Sequence, residues 1–177
     1  MDCEENNEEK AVIHYYPGTT IRMLPGDVLY SHKYACSSFL VGHTGIVGMN
    51  FRIYHVNCWK NYGHADSMPV YLSRHRKGEK ITILRYPDEL AAKQAAEWAM
   101  LHYDRIERYK YVRDLQKIEE NYCSKFTWQA FYFGTEGKVD LLQDKQRTSF
   151  KSYIMPGSIY RRLDKISIFE YPLFQHD

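Results

Sequence analysis

The sequence predicts an α+β domain in which an antiparallel sheet packs against helices, on three observations. Short apolar, β-branched runs recur at hairpin spacing, at 39–47, 51–56 and 81–85. An alanine-rich stretch over 88–101 has helical composition, and a second helical pattern covers 121–134. The 177 residues, 44% of them hydrophobic, suit a single sizeable core. Residues 1–20 read as a loose N-terminal arm and 21–177 as one domain.

Each element has a local reason. Pro25-Gly26-Asp27 is a turn leading into the apolar Val28-Leu29-Tyr30. Phe39 to Val47 is apolar with interior glycines, and Phe51 to Val56 alternates, with Gly48-Met49-Asn50 as the turn between them. If those three residues form the loop, His43 pairs with His55 on one face, because residue numbers across an antiparallel pair sum to a constant. An odd loop length is essential, since an even one turns one histidine to the other face.

Residues 57–78 are polar and broken by Gly63 and Pro69, and read as a long surface excursion with one short helical turn. Ile81 to Arg85 is a third core strand. Asp88 then starts a helix whose Ala92, Ala95, Ala96 and Ala99 make a slim packing face. The second helix starts near Asn121 and stops at Gly134. On it Cys123, Phe126, Thr127 and Ala130 share one face. Beyond the Pro156-Gly157-Ser158 turn, Ile159 to Phe169 supplies one or two strands.

Composition excludes several functions. Lys and Arg number 24 against 22 Asp and Glu, too balanced for a nucleic-acid partner held by phosphate contacts. No apolar run is long enough for a membrane span. The cysteines at 3, 36, 58 and 123 form no Cys-x-x-Cys pair and are expected as free thiols. Cys36 and Cys58 lie among His32, His64 and His75, but without close ligand pairs, so neither a metal nor another cofactor is expected. The acidic start is the opposite of a secretory leader and reads as cytoplasmic. A chain trimmed of its leader reads the same way, and would be secreted or cell-wall associated.

Cys123 is the candidate nucleophile. At a helix start, unpaired N–H groups and the positive end of the helix dipole favour thiolate, and the same N–H groups can hold an oxyanion. His43 is the candidate general base, and His55 the group that orients it. The sign-alternating 102–120 stretch reads as a solvated face, but its tyrosines could line a cleft beside Cys123, so Tyr103 and Tyr122 are candidate substrate contacts.

Three segments in order resemble the circularly permuted NlpC-like, papain-fold cysteine hydrolases of the YiiX/YebB-like type: Leu24 to Tyr30, Gly42-His43-Thr44-Gly45-Ile46-Val47, and Asn121-Tyr122-Cys123-Ser124-Lys125-Phe126-Thr127-Trp128. The resemblance runs from about residue 24 to the turn at 156–160. It implies a permuted papain-like, barrel-like sheet, with Cys123 as nucleophile and His43 as base in a bacterial amidase or peptidase. It further implies a small peptide or cell-wall fragment as substrate. His55 stands where such hydrolases often carry glutamate, an arrangement similar to lecithin–retinol acyltransferase relatives, which act on lipid acyl esters. An acyltransferase or lipid esterase is therefore the first alternative, and a non-catalytic ligand-binding protein the second.

Overall fold

A computed structural model of the protein describes residues 12–32, 42–59, 61–76, 78–143 and 149–170. In chain order the elements are β1 (Val28–Ser31), β2 (His43–Val47), β3 (Ile53–Val56), β4 (Gly63–Asp66), α1 (Met68–Ser73), β5 (Lys80–Arg85) and α2 (Glu89–His102). A 3-10 turn at Tyr103–Arg105 follows, then β6 (Arg108–Tyr109), β7 (Glu120–Asn121), α3 (Cys123–Gly134), α4 (Pro156–Tyr160) and β8 (Asp164–Glu170). One antiparallel sheet runs in the order β4-β3-β2-β1-β5-β8, and β6 and β7 make a separate parallel pair.

The central strands β1, β2 and β3 are buried along their whole length because both faces of the sheet are covered. On one face Val28, Ile46, Tyr54, Val56 and Leu84 meet the apolar sides of α2 and α3. On the other, Leu29, Val47, Ile53, Ile81 and Ile83 meet Tyr71 and Leu72 of α1, together with Tyr16 and Met23. Helix α2 starts at Asp88, whose carboxylate accepts from the N–H groups of Leu90 (2.9 Å) and Ala91 (3.1 Å). Its buried alanines allow close approach on two sides. A Cβ on Gly134 would lie 2.7 Å from the Gln94 carbonyl of α2. One on Gly26, which has φ +86°, would lie 2.3 Å from that of Ala92.

The helix at 121–134 falls as expected, with Tyr122 as its N-cap and Cys123 as its first residue. Elsewhere the structure corrects the sequence reading. The β2–β3 loop has five residues, not three, so Gly45 pairs with His55 and the register is shifted by two. An even shift preserves the face, so His43 and His55 still lie on one side. The segment 57–78 contains β4 as well as α1. The 159–169 region is a short helix, α4, followed by β8.

Within the segment read as a loose arm, residues 12–20 include Tyr16, which is only 1% exposed and donates its hydroxyl to Asp27 at 2.7 Å; residues 1–11 lie outside the described residues. The free-thiol expectation fails at Cys58, which is disulfide-bonded, whereas Cys123 is free. Cysteines distant in sequence can bridge wherever the fold brings their Cα atoms within reach, and spacing alone does not reveal this. Cys3 and Cys36 also lie outside the described residues.

Candidate active site around Cys123 and the histidine chain

Cys123 is 1% exposed at the start of α3, where the helix packs onto β2. The sulfur meets the backbone N–H groups and the hydroxyls of Thr44 and Ser124. Two neighbours hold this corner. The Thr127 hydroxyl lies 3.0 Å from that of Thr44 and bonds the Cys123 carbonyl, and the Ser124 hydroxyl donates to the Ile154 carbonyl at 2.7 Å. Tyr30 and Tyr111 lie close enough for a charge on the sulfur to raise their hydroxyl pKa values.

The expectation of a depressed thiol pKa is not met. Burial pushes the Cys123 thiol up, and the N–H and hydroxyl groups of Thr44 and Ser124 offset only part of that. Removing a thiolate from water outweighs the short-range dipoles that favour it, so the resting group is a neutral thiol.

His43 and His55 are both buried. Strand alternation places Thr44 and Ile46 toward α3, and His43, Gly45 and Val47 toward α1. The thiol thus reaches β2 at the peptide that joins His43 to Thr44, while the His43 ring lies near Tyr71 and His75 at centroid distances of 6.3 and 6.5 Å. His43 Nε2 is 3.2 Å from His55 Nδ1, and His55 Nε2 is 2.9 Å from Asp66 Oδ2. Arg74 completes the chain, its Nε donating to Asp66 Oδ2 and its Nη2 to Oδ1 at 3.1 Å, while its guanidinium lies 4.8 Å from the Trp59 ring centroid.

Burial, then the neighbouring histidines, holds His43 well below its ordinary pKa. Burial also lowers His55, against the opposing pull of Asp66. His64, stacked on His55 at 5.4 Å, and His75 are each pushed down to about 4, mainly by burial. Asp66 is held at about 2 by His55 and Arg74, which outweigh its own desolvation. The group is therefore a set of neutral imidazoles ending on an ionised carboxylate.

Tyr122 adjoins the thiol, but its hydroxyl accepts from the Ile154 N–H at 2.8 Å, and burial pushes its pKa up to about 12. Its ring stacks on that of Tyr111 at 4.7 Å. Tyr103 packs edge-on against Tyr54 at 5.1 Å and lines a polar cavity of about 640 Å³ with Arg52, His64, Asp66 and Asp104. Its contacts are with β3 and β4 rather than with Cys123.

Sequence reasoning missed Asp66 and Arg74, because β4 and α1 lie in the stretch read as surface. The available signal was Gly63-His64-Ala65-Asp66, four residues of alternating character before a Ser67-Met68-Pro69 helix start. It also missed Lys125, whose buried ammonium donates to the carbonyls of Lys117 (2.5 Å) and Glu120 (2.9 Å) and is lowered to about 8 by burial. Together with Gln129, which donates to the Leu115 carbonyl at 2.7 Å, it ties the turn before Cys123 to α3.

The lipoprotein N-acylation protein LnsA-like family matches residues 6–154. The chain belongs to this family. Among solved structures it is similar to metalloprotein yiiX from Escherichia coli O157:H7, with a TM-score of 0.56 and 13% identity over 81% of this chain and 96% of that one. That likeness bears on fold alone. No curated protein sequence matches the chain.

The histidine chain does not suit a metal ion. Both nitrogens of His55 are engaged, by His43 and by Asp66, and Arg74 occupies the carboxylate. Among the described residues no group of three or more His, Cys, Asp or Glu side chains is arranged to hold one. No helix among them is long and apolar enough to cross a membrane.

Proposed function

We propose that the protein is a thiol-dependent acyl-transfer enzyme on a permuted papain-like fold, with Cys123 as nucleophile, His43 as general base and His55 as the group that orients His43. The carrying observation is the position of the thiol, on the first residue of α3 and against the peptide that follows His43. Both groups rest neutral and the His43 ring faces α1, so that ring must reach past its own strand to take the thiol proton as the sulfur attacks an acyl carbonyl. The Ser124 N–H and the start of α3 stabilise the resulting oxyanion. Collapse gives a thioester on Cys123, the leaving group departs with the proton held by His43, and an acceptor attacks the thioester. An amine acceptor completes acyl transfer, whereas water completes hydrolysis.

Membership of a lipoprotein N-acylation family supports a lipid acyl ester as donor over a cell-wall peptide. The disulfide at Cys58 supports an oxidising compartment, and so the exported arm of the sequence expectation. Tyr111, 42% exposed and stacked on Tyr122, links the surroundings of the buried thiol to the surface.

Intact-mass spectrometry after incubation with phospholipid vesicles tests the reading. The expected product is one hydroxylamine-labile acyl group, mapped to Cys123. Cys123→Ala should remove the adduct and lower turnover roughly 10⁴-fold or more while keeping the wild-type circular dichroism spectrum. Cleavage of a muropeptide without lipid acylation would replace the acyltransferase with the amidase. Absence of any adduct or turnover would leave a binding protein.

A further inference from the structure

The proposed acyl transfer uses two histidines, but the hydrogen-bonded chain continues for two more side chains. We infer that Asp66, clamped by Arg74, fixes the proton positions along His55 and His43 so that His43 presents its Nδ1 lone pair as the base. This rests on Cys123 and His43 being the reacting pair.

An ionised carboxylate only accepts hydrogen bonds, so the 2.9 Å contact at Asp66 Oδ2 requires the proton of His55 to be on Nε2. A neutral imidazole carries one N–H, which leaves His55 Nδ1 as an acceptor. Its partner at 3.2 Å, His43 Nε2, must then donate, and His43 Nδ1 becomes the ring's acceptor. Nδ1 is bonded to Cγ and so lies nearer the residue's own backbone than Nε2 does, and the N–H of the next residue, Thr44, meets the Cys123 sulfur. The opposite assignment would put a proton on the nitrogen that has to receive one.

Burial keeps His55 neutral against the pull of Asp66, and the Arg74 guanidinium, which shares that carboxylate, opposes a charge on His55 to a smaller extent. Arg74 also supplies an internal control. Its Nε and His55 Nε2 share Asp66 Oδ2, so deleting the carboxylate leaves an obligatory donor facing His55 Nε2. That favours the proton of His55 on Nδ1, and hence the wrong tautomer of His43. Asp66 and Arg74 are thus positioning residues, acting through His55 without touching the reacting atoms.

Nitrogen-15 NMR of the histidine-labelled wild-type protein reads the tautomer directly and needs no substrate. His43 is expected to be protonated on Nε2 and bare on Nδ1, and the reverse would overturn the inference even if Cys123 proves to be the nucleophile. Alkylation of Cys123 by iodoacetamide, followed by peptide mapping, gives the functional arm. Asp66→Ala should slow it roughly tenfold or more at pH 7, given what a positioned base contributes. The double variant Asp66→Ala with Arg74→Ala should recover part of that rate, because the forcing donor is gone. A purely structural role for the ion pair predicts that the double variant is no faster than Asp66→Ala, and that result would overturn the assignment. Should Asp66→Ala fail to fold, the wild-type tautomer still decides.

Discussion

The sheet carries two buried aspartates, each gripped by an arginine through two hydrogen bonds, and they serve different ends. Asp27 accepts from Arg85 Nε at 2.7 Å and Nη2 at 2.8 Å, from the Tyr16 hydroxyl at 2.7 Å and from the Leu24 N–H at 3.0 Å. Asp66 accepts from Arg74 and from His55. The first ends on a phenol and a backbone amide, groups that do not hand a proton onward. Tyr16 accordingly has its pKa raised well above normal by burial and by Asp27. The second ends on an imidazole, whose far nitrogen meets another imidazole. Identical anchors can therefore either pin an N-terminal segment or organise a site, and the third ligand decides which.

The largest stability effect is expected on the Asp27 side. Asp27→Ala leaves Arg85, the Tyr16 hydroxyl and the Leu24 amide without their shared acceptor. It should cost about 3 kcal/mol, the low end for breaking a buried pair, because Arg85 retains some solvent access. Urea midpoints measure it. At temperatures where the variant is folded, Cys123 alkylation should match the wild type, in contrast with Asp66→Ala. Loss of thiol reactivity in folded Asp27→Ala would dissolve the distinction between the two anchors.

Acid should act through the other anchor. His75 and His64 are held at about 4 in the native state against an ordinary 6.5, so the unfolded chain binds their protons first. Their contribution is complete above pH 6.5 and is lost as pH falls from there toward 4. Asp66, at about 2 against 3.8, continues the loss below pH 4. His75 alone accounts for up to about 3 kcal/mol. Unfolding free energies at pH 7 and 4.5 should differ by at least that order, since His64, His43 and His55 are lowered too, and His75→Gln should flatten the slope. A slope unchanged in that variant would place the titration elsewhere.

How far the sequence carried the reading differs between the two faces of the sheet. Cys123 and α3 were legible because a helix is a local object, with 3.6-residue periodicity and a glycine stop. The shared face of His43 and His55 was legible too, because parity survives an error of two in register. Asp66 and Arg74 were not. They lie on a four-residue strand and at the C-cap of a six-residue helix, too short for periodicity to accumulate, and their importance exists only through contacts 8 and 11 residues apart in sequence. The thiol pKa was misjudged for a related reason. A helix start can be read from the chain, but the packing of Tyr30, Tyr111 and Tyr122 that keeps water from Cys123 belongs to the tertiary structure.

The smallest effect gives the sharpest contrast. Tyr16→Phe removes one hydroxyl and leaves the ring, which packs against Phe169 at 5.7 Å. Asp27 keeps both arginine bonds and the Leu24 amide, so the loss should be only about 1 kcal/mol, the net worth of one hydrogen bond, seen as a small drop in thermal midpoint. Thiol alkylation should not change, because nothing beyond the phenol depends on its proton. His55→Phe makes the analogous change at the other anchor, replacing one polar ring on an aspartate with an apolar one. There the chain to His43 is cut, and Cys123 alkylation should fall with the tautomer. If the two variants altered thiol reactivity alike, the third ligand would not be what separates a structural anchor from a functional one.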